Sequence, residues 1–184
     1  FNEPWYVPMP IVSVASAGRI FKAYGHIAFN KRSFPWLNTL VALNGYNGTL
    51  LWKRPLEEGF MIHRNTMIAT PDTLYLGDHA SCKLIDAATG EVKDEIVVPE
   101  EISDGPTWKW MAMVDGVLYA LVGGPENPIA TTPSRNPGLG HWPWGMWEGH
   151  DYKNPATAFG FGRTFLAFDA GSKQVLWSRR LKEY

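Results

Sequence analysis

The chain has 184 residues, 45% of them hydrophobic and 14% aromatic, which is enough apolar material for a packed globular core. The formal net charge is -1, so no basic field favours nucleic acid or anionic lipid as a partner. No apolar run approaches the roughly 20 residues of a transmembrane helix. The first residues, Phe1-Asn2-Glu3-Pro4, are neither a basic n-region nor an initiator methionine, and we expect a mature or internal segment. The single cysteine, Cys82, excludes an intrachain disulfide and is expected to be a small buried hydrophobe.

Three hairpins are predicted from short apolar runs that flank turn-forming dipeptides. Their strands and turns are residues 12–15 and 19–24 around Ala17-Gly18, 67–70 and 73–76 around Pro71-Asp72, and 110–114 and 117–121 around Asp115-Gly116. Asp-Gly between apolar runs is a strong indication of an antiparallel hairpin. No segment shows a sustained helical period with caps, so we expect little helix.

A second hairpin follows each of these, and its turn chemistry is repeated. The three copies are residues 41–52, 83–94 and 166–177. The side chains of Asn44, Asp86 and Asp169 can accept hydrogen bonds from the turn backbone. Gly48 and Gly90 suit a positive φ at the tip. Two hairpins per unit give four antiparallel strands, three times over, which favours propeller blades over a β-sandwich, because a sandwich need not repeat its turn chemistry.

The pattern Ala-x-Asp-x-x-Thr-Gly-x-x-x-Trp, whose centre is reproduced at Asp86 to Val92, resembles the pyrroloquinoline-quinone-like (PQQ-like) repeat. The resemblance implies an all-β, incomplete propeller of about three four-stranded antiparallel blades. It places the blades at about 11–56, 60–98 and 108–181, with an inserted loop at about 125–160.

In that family a tryptophan docks against the turn of the neighbouring blade. The resemblance therefore implies these structural docking residues: Trp52, Trp177, Asn44, Gly48, Asp86, Gly90 and Asp169. The second unit has Asp94 in place of the tryptophan, and the third has Lys173 in place of the glycine. We expect the two joints concerned to be looser.

The inserted loop connects the second and third strands of its blade. Such loops share a face with the connections between blades, because successive strands alternate in direction, and the resemblance implies that this face binds ligands. Long ordered loops are commonly functional. The candidate binding residues are His141, Trp142, Trp144, Trp147, His150 and Asp151. Their aromatic rings could bind a sugar, a quinone or a partner chain, or could fold the loop onto the blades. The spacing of the histidines and carboxylates matches no metal motif, and no metal site is expected.

No nucleophile elbow, phosphate-binding glycine loop, zinc-protease motif or haem-attachment motif occurs in the sequence. Two functions stay open. The first is a non-catalytic scaffold or binding segment, completed by further blades of a longer parent chain or by a partner protein. The second is part of a PQQ-dependent dehydrogenase or another propeller-containing redox enzyme.

The resemblance also bears on cofactors and location. PQQ and calcium could bind a completed propeller, but no cofactor is expected in this chain alone. The family's enzymes commonly place a vicinal cysteine pair over the quinone, and the single cysteine of this chain cannot supply that pair. The family further implies a periplasmic or extracellular location.

Overall fold

The computed structural model describes residues 10–24, 39–56, 65–124 and 162–181. These residues form twelve strands and one 3₁₀ turn, Glu100–Ile102. The strands are β1 (Pro10–Ser16), β2 (Arg19–Tyr24), β3 (Thr39–Asn44), β4 (Leu50–Pro55), β5 (Met67–Ala69), β6 (Thr73–Gly77), β7 (Cys82–Asp86), β8 (Val92–Ile96), β9 (Thr107–Val114), β10 (Val117–Gly123), β11 (Thr164–Asp169) and β12 (Val175–Arg180).

The strands make three four-stranded antiparallel sheets, each built from four consecutive strands in chain order. The first strand of the middle sheet, β5, contacts β1 on one side and β9 on the other. The first strands of the sheets therefore lie together, as in propeller blades. The prediction of an all-β, partial propeller is confirmed. The three described sheets are fewer than the roughly four to eight blades that close a propeller. The predicted blade limits fall partly outside the described residues and stay a prediction.

The hairpins β1–β2 and β9–β10 each turn at two consecutive residues with positive φ. Ala17 and Gly18 have φ of 46° and 72°. Asp115 and Gly116 have φ of 48° and 78°. Positive φ at both central positions is typical of the tight hairpin turn whose twist matches that of the strands. The turn dipeptides therefore fix the register of these hairpins.

The inner strands β6 and β7 of the middle sheet pack against a neighbouring sheet on each face, because alternate residues of a strand point to opposite faces. Leu74, Leu76 and Ile85 belong to the apolar cluster shared with the first sheet. Tyr75 and Cys82 belong to the cluster shared with the third sheet. The fully buried Cys82 behaves as a small hydrophobe, and desolvation raises the pKa of its thiol.

The residues on either side of the large insertion are held close together. Val122 of β10 pairs with Thr164 of β11 as the last rung of the ladder. A Cβ on Gly162 would lie 2.4 Å from the carbonyl oxygen of Val122, and a Cβ on Gly123 would lie 3.0 Å from Cα of Gly162. Only glycine permits this close approach at residue 162.

We predict that residues 125–160 are dispensable for folding of the blades. Their flanking strands are already paired, so a two-residue Asn-Gly connection should retain the β-type circular dichroism and a cooperative thermal melt. Loss of the cooperative melt in this shortened chain would show that the insertion contributes to the core.

Candidate blade-docking site

Trp52 on β4 packs against the turn between β7 and β8 of the next sheet. Its side chain is only 9% exposed, and its indole Nε1 donates a hydrogen bond of 3.1 Å to the carbonyl oxygen of Ala87. A Cβ on Gly90 would lie 2.7 Å from the indole carbons, and Gly90 has a φ of 79°. Glycine is therefore favoured at this position both by the backbone conformation and by the approach of the ring.

Arg54 reaches the same turn, because alternate residues of a strand share a face. Its Nη1 donates a hydrogen bond of 2.7 Å to the carbonyl oxygen of Gly90. Phe21 of β2 lies behind the indole of Trp52, with ring centroids 5.8 Å apart. We call Trp52 and Arg54 the docking pair. Residues 86–90 form the acceptor turn, and the equivalent turns at 44–48 and 169–173 are given the same name.

Each acceptor turn is closed by a side-chain oxygen at its first position. Oδ1 of Asp86 accepts hydrogen bonds of 2.8 Å from the backbone nitrogens of Ala88 and Thr89. Asn44 and Asp169 make corresponding bonds in the first and third sheets. These bonds fix the turn backbone that presents the left-handed tip residue to its neighbour.

The two aspartates of these turns are stabilised in their charged form. The ion pair with Lys93, followed by the turn amides, holds the pKa of the Asp86 carboxyl well below its usual range. The backbone amide and hydroxyl of Ser172 lower the pKa of Asp169. Asn44 closes the same kind of turn with an uncharged amide. The turn geometry therefore does not require charge, but two of its copies gain stability from it.

The joint between the second and third sheets has an ion pair in place of the indole. Asp94 holds the strand position of Trp52, and Lys173 holds the turn position of Gly90 with a φ of 64°. The Lys173 ammonium pairs with the Asp94 carboxylate and lowers the pKa of that carboxyl. The two departures from the repeat therefore meet at one joint, which corrects the expectation of two looser joints.

The third sheet repeats the docking face of the first sheet position by position. The matching positions are Tyr119 for Phe21, Leu121 for Ala23, Phe165 for Leu40, Ala167 for Ala42, Trp177 for Trp52 and Arg179 for Arg54. Among the described residues no sheet follows this face.

Trp177 is 43% exposed, although its ring contacts aromatic neighbours in its own sheet. The ring centroids of Phe165 and Tyr119 lie 5.4 Å and 6.2 Å from that of Trp177. The structure thus places Trp177 at a docking position, and its docking role stays a prediction.

Gly48, in the first acceptor turn, has a φ of 73° and open space at its Cβ position.

The binding side chains predicted in the insertion, His141, Trp142, Trp144, Trp147, His150 and Asp151, lie outside the described residues. In the described part of the chain, no group of three or more histidine, cysteine or acidic side chains could hold a metal ion. The same residues include no helix that is long and apolar enough to span a membrane.

A polar cluster closes the compact loop between β6 and β7. Oδ1 of Asp78 accepts hydrogen bonds from the backbone nitrogens of Ala80 and Ser81, at 2.8 and 2.9 Å, and its other oxygen pairs with Lys83. These contacts are internal to the loop and stabilise it.

Sequence reasoning missed Arg54 and the Asp94–Lys173 pair. The spacing Trp-x-Arg recurs at Trp177 and Arg179, and that recurrence would have revealed the arginine. Predicting the ion pair requires knowing that the last strand of one blade lies against the turn of the next blade.

No protein-family model matches the chain, and neither does any curated protein. Solved structures do match. The chain is similar to BamB from Moraxella catarrhalis, with 12% identity, a TM-score of 0.49, and coverage of 92% of this chain and 40% of BamB. It is similar to the computationally designed protein Ika8, with 11% identity, a TM-score of 0.50, and coverage of 94% and 36%.

A europium-containing methanol dehydrogenase matches with 13% identity and a TM-score of 0.48, covering 91% of this chain and 31% of the enzyme. At these identities the likeness concerns the fold alone. The chain spans 40% or less of the length of each of these three structures.

We predict that Trp52→Ala lowers the free energy of unfolding by about 3–5 kcal/mol, as for a buried large aromatic truncated to alanine. Trp177→Ala is the matched control, and its cost in the single chain should be smaller because its ring is partly exposed. Urea melts of the two variants, at dilutions where light scattering gives the mass of one chain, measure the difference. Equal losses would contradict the assignment of Trp52 as the docked residue and Trp177 as the undocked one.

The ionic joint predicts a compensating pair of substitutions. Asp94→Trp places an indole against the Lys173 side chain and should lower the urea midpoint. Lys173→Gly removes the partner of Asp94 but relieves a positive φ of 64°, so its own effect on the midpoint should be small. The double variant rebuilds the indole–glycine contact of the first joint and should recover the midpoint. It should also be less sensitive to salt than the unmodified chain, because the ion pair of this joint is no longer present to be screened. Strictly additive effects would show that the two residues do not interact.

The acceptor-turn carboxylates predict an acid-sensitive stability. Because the folded pKa of Asp86 lies below its unfolded value of about 3.9, its contribution is present above that pH and is lost as the pH falls through the folded pKa. Asp86→Asn should therefore lower the melting temperature at pH 7, and the loss should be smaller near pH 2. An equal effect at both pH values would mean that the charge of Asp86 contributes nothing.

Proposed function

We propose that this chain is a non-catalytic scaffold and binding segment, whose three blades are completed by further blades. The observation that carries the proposal is the open face of the third sheet. It repeats the residue positions that the first sheet buries against the second. A face built for a neighbouring blade is a binding surface for one.

The energetics support the same conclusion. Trp52 is almost wholly buried by the next blade, whereas the equivalent Trp177 keeps 43% of its surface exposed. Open repeat stacks usually end in polar capping units, because an uncapped apolar face favours association. Tyr119, Leu121 and Phe165 on this face are apolar and only half-buried. Covering them would remove further apolar surface from water.

The identity of the completing blades, the cofactor and the compartment belong to the same proposal. Further blades on a longer parent chain or a partner protein would complete the propeller, in the periplasm or outside the cell, as the PQQ-like resemblance implies. This chain alone would need no cofactor. Dye-linked alcohol oxidation by the completed propeller with PQQ and Ca²⁺ would instead make it part of a redox enzyme.

A tandem of two full-length copies on one polypeptide tests the blade-docking proposal. Residues 181–184 followed by residues 1–9 resemble in length the segments 56–66 and 97–106 that connect successive sheets, so no extra linker is needed. The second copy supplies a blade next to the open face of the first. We expect the tandem to melt at a higher temperature than the single chain.

The matched control is the same tandem with Tyr119→Lys and Trp177→Ala in the first copy only. This control should lose the gain in melting temperature, because the charged and truncated face can no longer bury a blade. A tandem that melts like the single chain would contradict the proposal that the open face receives a blade.

A further inference from the structure

The first acceptor turn is a copy of the turn that receives Trp52. In the turn at 86–90, the backbone nitrogen of Gly90 bonds the carbonyl oxygen of Asp86 at 2.9 Å, and in the turn at 44–48 the equivalent bond from Gly48 to Asn44 is 2.8 Å. The tip glycines have φ of 79° and 73°. The backbone that accepts a docking pair is therefore already formed in the first sheet.

The surroundings of the two tip glycines differ. A Cβ on Gly90 would meet the Trp52 ring, whereas a Cβ on Gly48 would meet no atom within 4 Å. Beside this open position Tyr46 is 91% exposed. Exposed aromatic side chains are enriched at protein interfaces.

The opposite end of the chain carries the complementary half of the same joint. Trp177 and Arg179 occupy the positions of the docking pair Trp52 and Arg54. Both residues are exposed. One end thus presents a docking pair and the other end an acceptor turn.

We propose that the partner protein that covers the open face is a second copy of this chain, with Trp177 and Arg179 docked on the 44–48 turn of that copy. The proposal rests on the blade-docking function proposed above. Trp177 would lie against Gly48 of the second copy, and Arg179 would donate to its carbonyl oxygen, as Arg54 does to Gly90.

The contact is head to tail, since the two surfaces differ. Such an interface either closes into a ring or continues into a filament. Two copies supply six four-stranded sheets, within the roughly four to eight that close propellers. The proposed pair is a closed ring of the described blades, held by two identical joints.

The decisive experiment is size-exclusion chromatography with light scattering across a concentration series of the 184-residue chain. We expect a mass of two chains at high concentration. Trp177→Ala should raise the dissociation constant at least about 30-fold, as for a central aromatic hot spot. Arg179→Ala, a change at an exposed residue, should raise it by a smaller factor while the circular dichroism of the chain stays the same.

Two glycine variants separate a lost interface from a strained turn. Gly48→Ala and Gly116→Ala both place a Cβ at a positive φ, 73° and 78°, and both have open space there. Their backbone strain should therefore be similar. Only Gly48→Ala puts a methyl group where the incoming indole must lie, so only this variant should abolish the dimer.

Three results would overturn the proposal: a monomer at every concentration, an open-ended polymer, or a dimer that Gly48→Ala leaves intact. The tandem separates this failure from that of the proposed function. A stabilised tandem with monomeric free chains would retain blade docking and reject pairing of free copies. An unstabilised tandem with monomeric chains would reject both.

Discussion

The arrangement of the sheets depends on one kind of contact. In it, a side chain from one blade packs against a left-handed turn residue of the next blade. Gly90 lets the Trp52 ring approach the backbone, and the Asp86 turn holds Gly90 in place. Once the ring is seated, its Nε1 and the guanidinium of Arg54 reach carbonyl oxygens of the same turn. Apolar burial supplies the attraction, and the two hydrogen bonds fix the orientation, because they are directional and burial is not.

The second joint shows that this position accepts different chemistry. Asp94 and Lys173 connect the same strand and turn by charge, at a solvent-exposed site where salt and pH weaken the attraction. The apolar cluster that includes Trp108 and Leu118 joins the same two sheets. One chain therefore contains one joint with a buried indole and one in which an exposed ion pair takes the place of the indole beside an apolar cluster.

The repeat made the fold predictable from sequence. Asp115-Gly116 and the three Asx turns identify hairpins by local backbone chemistry, which does not depend on distant residues. The docking roles of Arg54 and of the Asp94–Lys173 pair were not predictable in this way. Each joins residues far apart in the chain, and the partner becomes evident only when the blades are placed side by side. Outside the insertion, what sequence reasoning lacked was the geometry between units.

The order of the strands has a consequence for biosynthesis. The first sheet consists of four consecutive strands, and its ladder partners lie at most 25 positions apart, as for Arg19 and Asn44, so its ladder can form as soon as that part of the chain has left the ribosome. The indole of Trp52, however, bonds a carbonyl oxygen 35 positions further along the chain. The first blade can therefore complete its hydrogen-bonded ladder while the Trp52 side chain is still solvent-exposed. In the nascent chain, packing between blades forms after the secondary structure of each blade.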